Sequence, residues 1–204
     1  MICDTLKQIR IVPVLTAESV VAGLKSCEAL RANGLPAAEI TLRTAAAEPL
    51  IREAVKRFPD MLIGAGTVLN VDDLHRTADA GARFAVAPGF NPTVVREALK
   101  CGIDFIPGVL TPGEIEQALE LGLRLLKFFP AEAAGGVTML KALYAPYRHR
   151  GVRFMPTGGV NAANVEAYLA TPGVAAVGGT WLDNADAETI REAARIAAEY
   201  RTQA

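Results

Sequence analysis

Thr111-Pro112-Gly113-Glu114-Ile115-Glu116-Gln117-Ala118-Leu119-Glu120-Leu121-Gly122, followed directly by Leu123-Arg124-Leu125-Leu126-Lys127-Phe128-Phe129-Pro130, reads as one helix and one strand written end to end. Threonine then proline opens a helix, because proline's missing N–H and fixed φ suit the first turn. Gly122 closes it, since glycine takes the left-handed C-terminal conformation without steric cost. The run Arg124–Phe129 is short and almost continuously apolar, the pattern of a parallel strand covered on both faces. Similar units lie to either side. Strands are expected at Arg10–Leu15, Ala38–Arg43, Leu62–Val68, Phe84–Ala87, Asp104–Pro107, Arg153–Thr157 and Ala175–Gly178, making eight in all. Between them, Thr16-Ala17-Glu18-Ser19, Asn70 and Asn91-Pro92 mark helix starts, and Gly34, Gly81 and Gly102 mark stops. Asp186–Tyr200, with Ile190, Ala194, Ile196 and Ala197 on one face, reads as a closing helix.

Alternation of this kind signals βαβ units around a parallel sheet. Gly89, Gly108, Pro130, Gly158 and Gly179 follow successive strands at spacings of about twenty to thirty residues, the length of one short βα unit. The expected fold is α/β, a single (β/α)8 TIM barrel, with residues 1–204 as one domain and no Ser- or Pro-rich linker. An open doubly wound sheet is the alternative. It calls for a G-x-G-x-x-G turn after the first strand, and Leu15-Thr16-Ala17-Glu18 is not one.

The chain's 204 residues are at the short end for such a barrel. With 21 basic against 22 acidic residues, the net charge of −1 gives no reason to expect nucleic acid or an anionic membrane as partner. Affinity for an anion must then be local. Apolar runs such as Ile11–Leu15 and Leu123–Phe129 fall well short of the roughly 18 residues needed to span a bilayer. Met1-Ile2-Cys3-Asp4-Thr5-Leu6-Lys7 lacks the order of a signal peptide, so a cytoplasmic protein is expected. Cys3, Cys27 and Cys101 fit neither a disulfide framework nor a CxxC metal motif and read as reduced structural residues. His75, in a predicted helix, and His149, in a polar loop, read as surface residues.

In a barrel the chemistry gathers where strands end. Lys127 lies inside an apolar strand, where desolvation disfavours the ammonium and favours the free amine that attacks a ketone. Glu39, Thr41 and Arg43 alternate along the second predicted strand and so share a face. A carboxylate there can carry protons for Lys127, and Arg43 can fork onto a substrate carboxylate with Thr67 completing the hydrogen bonds. An internal Glu39–Arg43 ion pair is the competing reading. Gly158-Gly159 and Gly178-Gly179 follow the last two strands, where barrels bind phosphate through backbone N–H groups, and Thr157 and Thr180 add hydroxyls. No Asp, Glu and His cluster stands at the strand ends, so no metal and no other cofactor is expected.

Glu39-Ile40-Thr41-Leu42-Arg43-Thr44, Gly64-Ala65-Gly66-Thr67-Val68-Leu69, Pro88-Gly89, Lys127-Phe128-Phe129-Pro130-Ala131-Glu132, Pro156-Thr157-Gly158-Gly159-Val160 and Gly178-Gly179-Thr180-Trp181 together resemble the bacterial 2-keto-3-deoxy-6-phosphogluconate aldolases, which also act as 4-hydroxy-2-oxoglutarate aldolases. The motifs stand in family order over nearly the whole chain. The resemblance implies a metal-free class I aldolase of the Entner–Doudoroff pathway. Such an enzyme cleaves the phosphorylated keto acid to pyruvate and glyceraldehyde 3-phosphate, or 4-hydroxy-2-oxoglutarate to pyruvate and glyoxylate, usually as a homotrimer. It implies that Lys127 forms the imine, Glu39 shuttles protons, and Arg43 with Thr67 holds the pyruvyl carboxylate. Pro88 and Phe129 would border the substrate and Thr157 would meet one of its hydroxyls. Gly158, Gly159, Gly179 and Thr180 would take the phosphate, Thr180 replacing a serine common in the family. The stretch before the first strand is short, so the helix that often covers the barrel bottom is expected to be shortened or missing. A galactonate-epimer aldolase of the same family, or another phosphate-binding barrel enzyme such as an isomerase or transferase, is the alternative reading.

Overall fold

The computed structural model describes residues 2–201. After a short helix α1 (Ile2–Ile9), strands and helices alternate: β1 (Ile11–Leu15), α2 (Val20–Ala32), β2 (Ala37–Thr41), α3 (Ala47–Arg57), β3 (Leu62–Gly66), α4 (Val71–Asp79), β4 (Phe84–Val86) and α5 (Pro92–Cys101). The series continues with β5 (Asp104–Ile106), β6 (Gly108–Val109), α6 (Pro112–Glu120), β7 (Leu125–Phe128), α7 (Gly136–Tyr147), β8 (Arg153–Pro156), α8 (Val165–Leu169), β9 (Val177–Gly179) and α9 (Ala187–Glu199). The start signals act as caps: the side chains of Ser19, Asn70 and Asn91 accept backbone N–H groups of their helices. Thr111 forms a reciprocal capping box with Glu114. Gly34, Gly81, Gly102 and Gly122 all take positive φ after their helices.

The strands do not form the expected closed eight-stranded barrel. They form a curled six-stranded parallel sheet, ordered β5-β4-β3-β2-β1-β9, and a separate three-stranded parallel sheet, β6-β7-β8. Two local features interrupt the ladder. Pro107, which has no N–H to donate, ends the fifth predicted strand, and the chain changes sheets there: β5 pairs with β4 while β6, beyond it, pairs with β7. At the other gap, Phe154↔Val174 and Thr157↔Gly178 are isolated bridges only. There the Val174 and Ala175 carbonyls accept Arg10 Nη1 at 2.9 and 2.8 Å. The Leu169 carbonyl accepts Arg10 Nη2 at 2.9 Å. Ala175 was expected to begin the last strand, which instead starts at Val177.

Arg10 is therefore a buried tie from the start of β1 to α8 and the segment leading into β9, 6% exposed. Arg10→Met leaves three buried carbonyls without these donors and is expected to lower the unfolding free energy by about 3 kcal/mol in urea titration. A loss below about 0.5 kcal/mol would assign the tie no energetic weight.

Strand parity sorts the core into two layers. Ile11, Leu15, Ala38, Ile40, Ala85, Leu126, Phe128 and Phe154 face the helices in the larger cluster. Val12, Ala37, Phe84, Val86, Ile106, Leu125 and Met155 face inward, joined by Leu6 and Ile9 of α1. The covering helix is thus present, eight residues long, and its two buried residues close the end of the inner core. On the closing helix Ala193 rather than Ala194 is buried beside Ile190, Ile196 and Ala197. Among the described residues no helix is long and apolar enough to cross a membrane.

Candidate active site

Further along two of the inward rows, apolar side chains give way to polar ones. Lys127 follows Leu125 on β7, and Glu39 and Thr41 follow Ala37 on β2, while β1 stays apolar with Val14 after Val12. The inner core is thus the floor of a pocket. Lys127 Nζ donates to Glu39 Oε1 at 3.2 Å, with side chains only 7% and 1% exposed. The pair joins the two sheets across the pocket floor. Glu39 Oε2 is buried and has no protein partner, so one carboxylate oxygen remains able to take or give a proton to a bound molecule. The Phe129 ring centroid lies 5.3 Å from Lys127 Nζ, placing an aromatic face beside the amine.

Glu39 fits because residue 66 is glycine. A Cβ there would stand 2.2 Å from Glu39 Oε1 on the neighbouring strand. Thr41 is buried and hydrogen-bonded to Leu15 O at 3.2 Å and Thr16 Oγ1 at 2.9 Å, which fixes the end of β2.

The cavity, about 500 Å³ including the space open to solvent, is lined by Glu39, Thr41, Arg43, Thr67, Pro88, Lys127, Phe129, Thr157, Gly158, Gly159, Gly179 and Thr180, all singled out from the sequence; Gly178 of the second glycine pair is not in the lining. Arg43 reaches it from an unexpected place. β2 ends at Thr41, and the Arg43 N–H turns back to the Thr41 carbonyl at 2.8 Å, so Arg43 is an exposed turn residue at the mouth. The expected shared strand face stops at Thr41, and Glu39 has Lys127 as its ion-pair partner. Thr67, just past β3, holds the left-handed conformation at φ 60°. Such a backbone is uncommon for a threonine and is sustained only by surrounding structure.

The glycine loops border the opposite side. Gly158 and Gly159 have φ of 96° and 81°, and a Cβ on Gly159 would meet Glu132 Cβ at 2.6 Å. The Ala131 and Glu132 N–H groups donate to Thr157 and Gly158 carbonyls at 2.8 and 3.0 Å, so the segment after Lys127 braces this loop. The Glu132 side chain in turn accepts the hydroxyl of fully buried Tyr168. Burial, reinforced by the Glu132 carboxylate, pushes that phenol well above its ordinary range. A Cβ at Gly178 would lie 2.5 Å from Thr157 Oγ1, so glycine leaves room for that hydroxyl.

Two contributors, Gly66 and Val14, were not singled out from the sequence, and Gly178 was singled out for a different role, as half of a phosphate-binding pair. Gly66 and Gly178 act by leaving space across strands, a relation that neighbouring residues in the chain do not reveal. Val14 lines the pocket but carries no polar signal. Chemically, the arrangement pairs an enclosed amine with a carboxylate, sets cationic Arg43 at the mouth, and closes with glycine loops suited to an anion.

Residues 2–198 match a family model described as KDPG and KHG aldolase. A 2-dehydro-3-deoxy-phosphogluconate aldolase of Treponema pallidum (strain Nichols) is 44% identical over 181 residues, 89% of this chain and 85% of that protein. Among solved structures, the 2-keto-3-deoxy-6-phosphogluconate aldolase of Zymomonas mobilis ZM4 with 3-phosphoglycerate superposes with a TM-score of 0.88 at 35% identity, covering 97% of this chain and 95% of that one. The KDPG aldolase of Legionella pneumophila, with pyruvate captured at low pH as a covalent carbinolamine intermediate, gives a TM-score of 0.85 at 38% identity, covering 98% of this chain and 96% of that one.

Proposed function

The chain belongs to the KDPG and KHG aldolase family, and from that membership we infer the chemistry of its pocket. It is a class I aldolase, a carbon–carbon lyase that cleaves 2-keto-3-deoxy-6-phosphogluconate to pyruvate and glyceraldehyde 3-phosphate. The observation that carries the residue assignment is the enclosed Lys127–Glu39 pair.

In this reading Glu39 takes a proton from the Lys127 ammonium, the freed amine attacks the C2 ketone to give a carbinolamine, and Glu39 returns the proton so that water leaves. The resulting iminium accepts the electrons of the C3–C4 bond as the C4 hydroxyl gives its proton to Glu39, releasing glyceraldehyde 3-phosphate and leaving an enamine. Glu39 then protonates the enamine carbon, and hydrolysis of the imine releases pyruvate and restores the amine. Arg43 and Thr67 hold the C1 carboxylate, and Pro88 and Phe129 confine the chain of the substrate. Thr157 meets a substrate hydroxyl. Gly158, Gly159, Gly179 and Thr180 receive the phosphate. The reaction draws on no metal. With 4-hydroxy-2-oxoglutarate the same steps yield pyruvate and glyoxylate. We place the enzyme in the cytoplasm, as one domain per chain assembled into homotrimers.

The test is pyruvate release, coupled to lactate dehydrogenase, from the gluconate and galactonate phosphate epimers and from 4-hydroxy-2-oxoglutarate. Preference for the gluconate epimer is expected. Preference for the galactonate epimer would move the chain to the other substrate type, and no release from any of the three would refute the proposal.

The phosphate assignment has its own check. In Gly159→Ala a methyl must occupy space held by the Glu132 stem at a left-handed backbone position. KM for the phosphorylated substrate is expected to rise about tenfold or more, equivalent to about 1.4 kcal/mol. Turnover of unphosphorylated 4-hydroxy-2-oxoglutarate should stay within about threefold. Equal loss on both substrates would place the phosphate elsewhere.

A further inference from the structure

Away from the pocket, the helical layer holds a second convergence of donor atoms. His75 on α4 and Glu97 and Cys101 on α5 offer a ring nitrogen, a carboxylate oxygen and a thiol sulfur that all lie within 4.8 Å of one another. Glu97 and Cys101 are four residues apart in one helix and so stand on the same face, one turn apart. His75 reaches them from the adjacent helix, with Nε2 3.1 Å from Glu97 Oε1, and Cys101 Sγ is 3.8 Å from that same oxygen.

Tetrahedral coordination at about 2.0 Å from N and O and about 2.3 Å from S sets donors about 3.3–3.6 Å apart. The two measured edges bracket that range. Lys100 Nζ binds the other carboxylate oxygen at 2.9 Å, turning Oε1 toward His75 and Cys101 as an outer partner of a metal ligand does. The hydrogen bond from Lys100, then that from His75, holds the Glu97 carboxyl below its ordinary range. A mixed imidazole, carboxylate and thiolate set suits a borderline cation, where magnesium or calcium would call for oxygen ligands alone.

We propose that His75, Glu97 and Cys101 form a surface site for a zinc-type divalent cation, with water in the fourth position, that ties α4 to α5. The site shares no residue with the catalytic cavity. Its effect is on stability, because a ligand that binds only the folded chain raises the unfolding midpoint.

The experiment uses the full chain freed of metal with a chelator and titrated with Co2+, then Zn2+. One equivalent of Co2+ per chain is expected, with thiolate-to-metal charge-transfer absorption that disappears as Zn2+ displaces it. Zn2+ should raise Tm. His75→Ala and Cys101→Ser, at exposed positions, should each weaken Zn2+ binding at least tenfold and abolish both the absorption band and the Tm shift, with pyruvate release unchanged. Cys3→Ser should keep all three signals. Absence of Co2+ and Zn2+ binding by the wild-type chain, or wild-type affinity retained by either His75→Ala or Cys101→Ser, overturns the site.

Discussion

Lys127→Met is expected to reduce pyruvate release by about 10⁴-fold or more, roughly 5.5 kcal/mol of transition-state stabilisation. The amine's position, rather than its residue type alone, sets the size of this loss. Lys127 stands on the inward row of β7, above apolar Leu125 and beside the Phe129 ring. Neither His75 nor His149 lines the pocket, so no imidazole there can replace the amine as nucleophile. Methionine also removes the cation facing buried Glu39, and breaking a buried pair costs about 3–5 kcal/mol of stability. Lys127→Arg separates the two effects. Arginine keeps a positive charge opposite Glu39, but its guanidinium stays protonated and forms no imine. Both variants should be inactive, and the arginine variant should unfold closer to wild type in a denaturant titration. Turnover by either variant within about tenfold of wild type would remove Lys127 from the mechanism.

Glu39→Gln should lower kcat by about 10²–10⁴-fold, the range for losing a positioned general acid–base group. Glutamine conserves the volume allowed by Gly66 and can still accept the Lys127 hydrogen bond through its amide oxygen. What it loses is the ability to move a proton. The loss should therefore appear mainly in kcat, with KM changed much less. Single-turnover measurements should find imine formation and carbon–carbon cleavage both slowed. A Glu39→Gln enzyme with kcat within about threefold of wild type would mean that another group carries the protons.

Much of this site was legible before the fold was known, because strand parity is a strict rule. An alternation of two places Glu39 and Thr41 on one face and sets Lys127 on the same row as Leu125, and the structure has both relations. Parity fails where a strand stops. Arg43 continued the pattern in sequence, but the turn back to the Thr41 carbonyl carries it out to the mouth. Helix boundaries were legible for a similar local reason, since Ser19, Asn70, Asn91 and Thr111 satisfy N–H groups within three residues.

Sheet closure was not legible. It depends on which distant groups take each backbone donor and acceptor. Pro107 was visible at the end of a predicted strand, but its effect on pairing depends on β4 and β7 lying to either side. Arg10 looked like the first residue of a strand, and only the folded chain brings its guanidinium to the Leu169, Val174 and Ala175 carbonyls. The His75, Glu97 and Cys101 cluster is hidden for the same reason: its spacing matches no metal motif within a single element.

Reductive trapping tests the central claim most directly. The full chain is incubated with pyruvate and borohydride, then digested and analysed by mass spectrometry. One reduced pyruvyl adduct per chain is expected, on Lys127, with activity lost in proportion to labelling. An adduct on a different lysine, or an unlabelled chain that continues to release pyruvate from the phosphorylated keto acid under the same conditions, would contradict that claim.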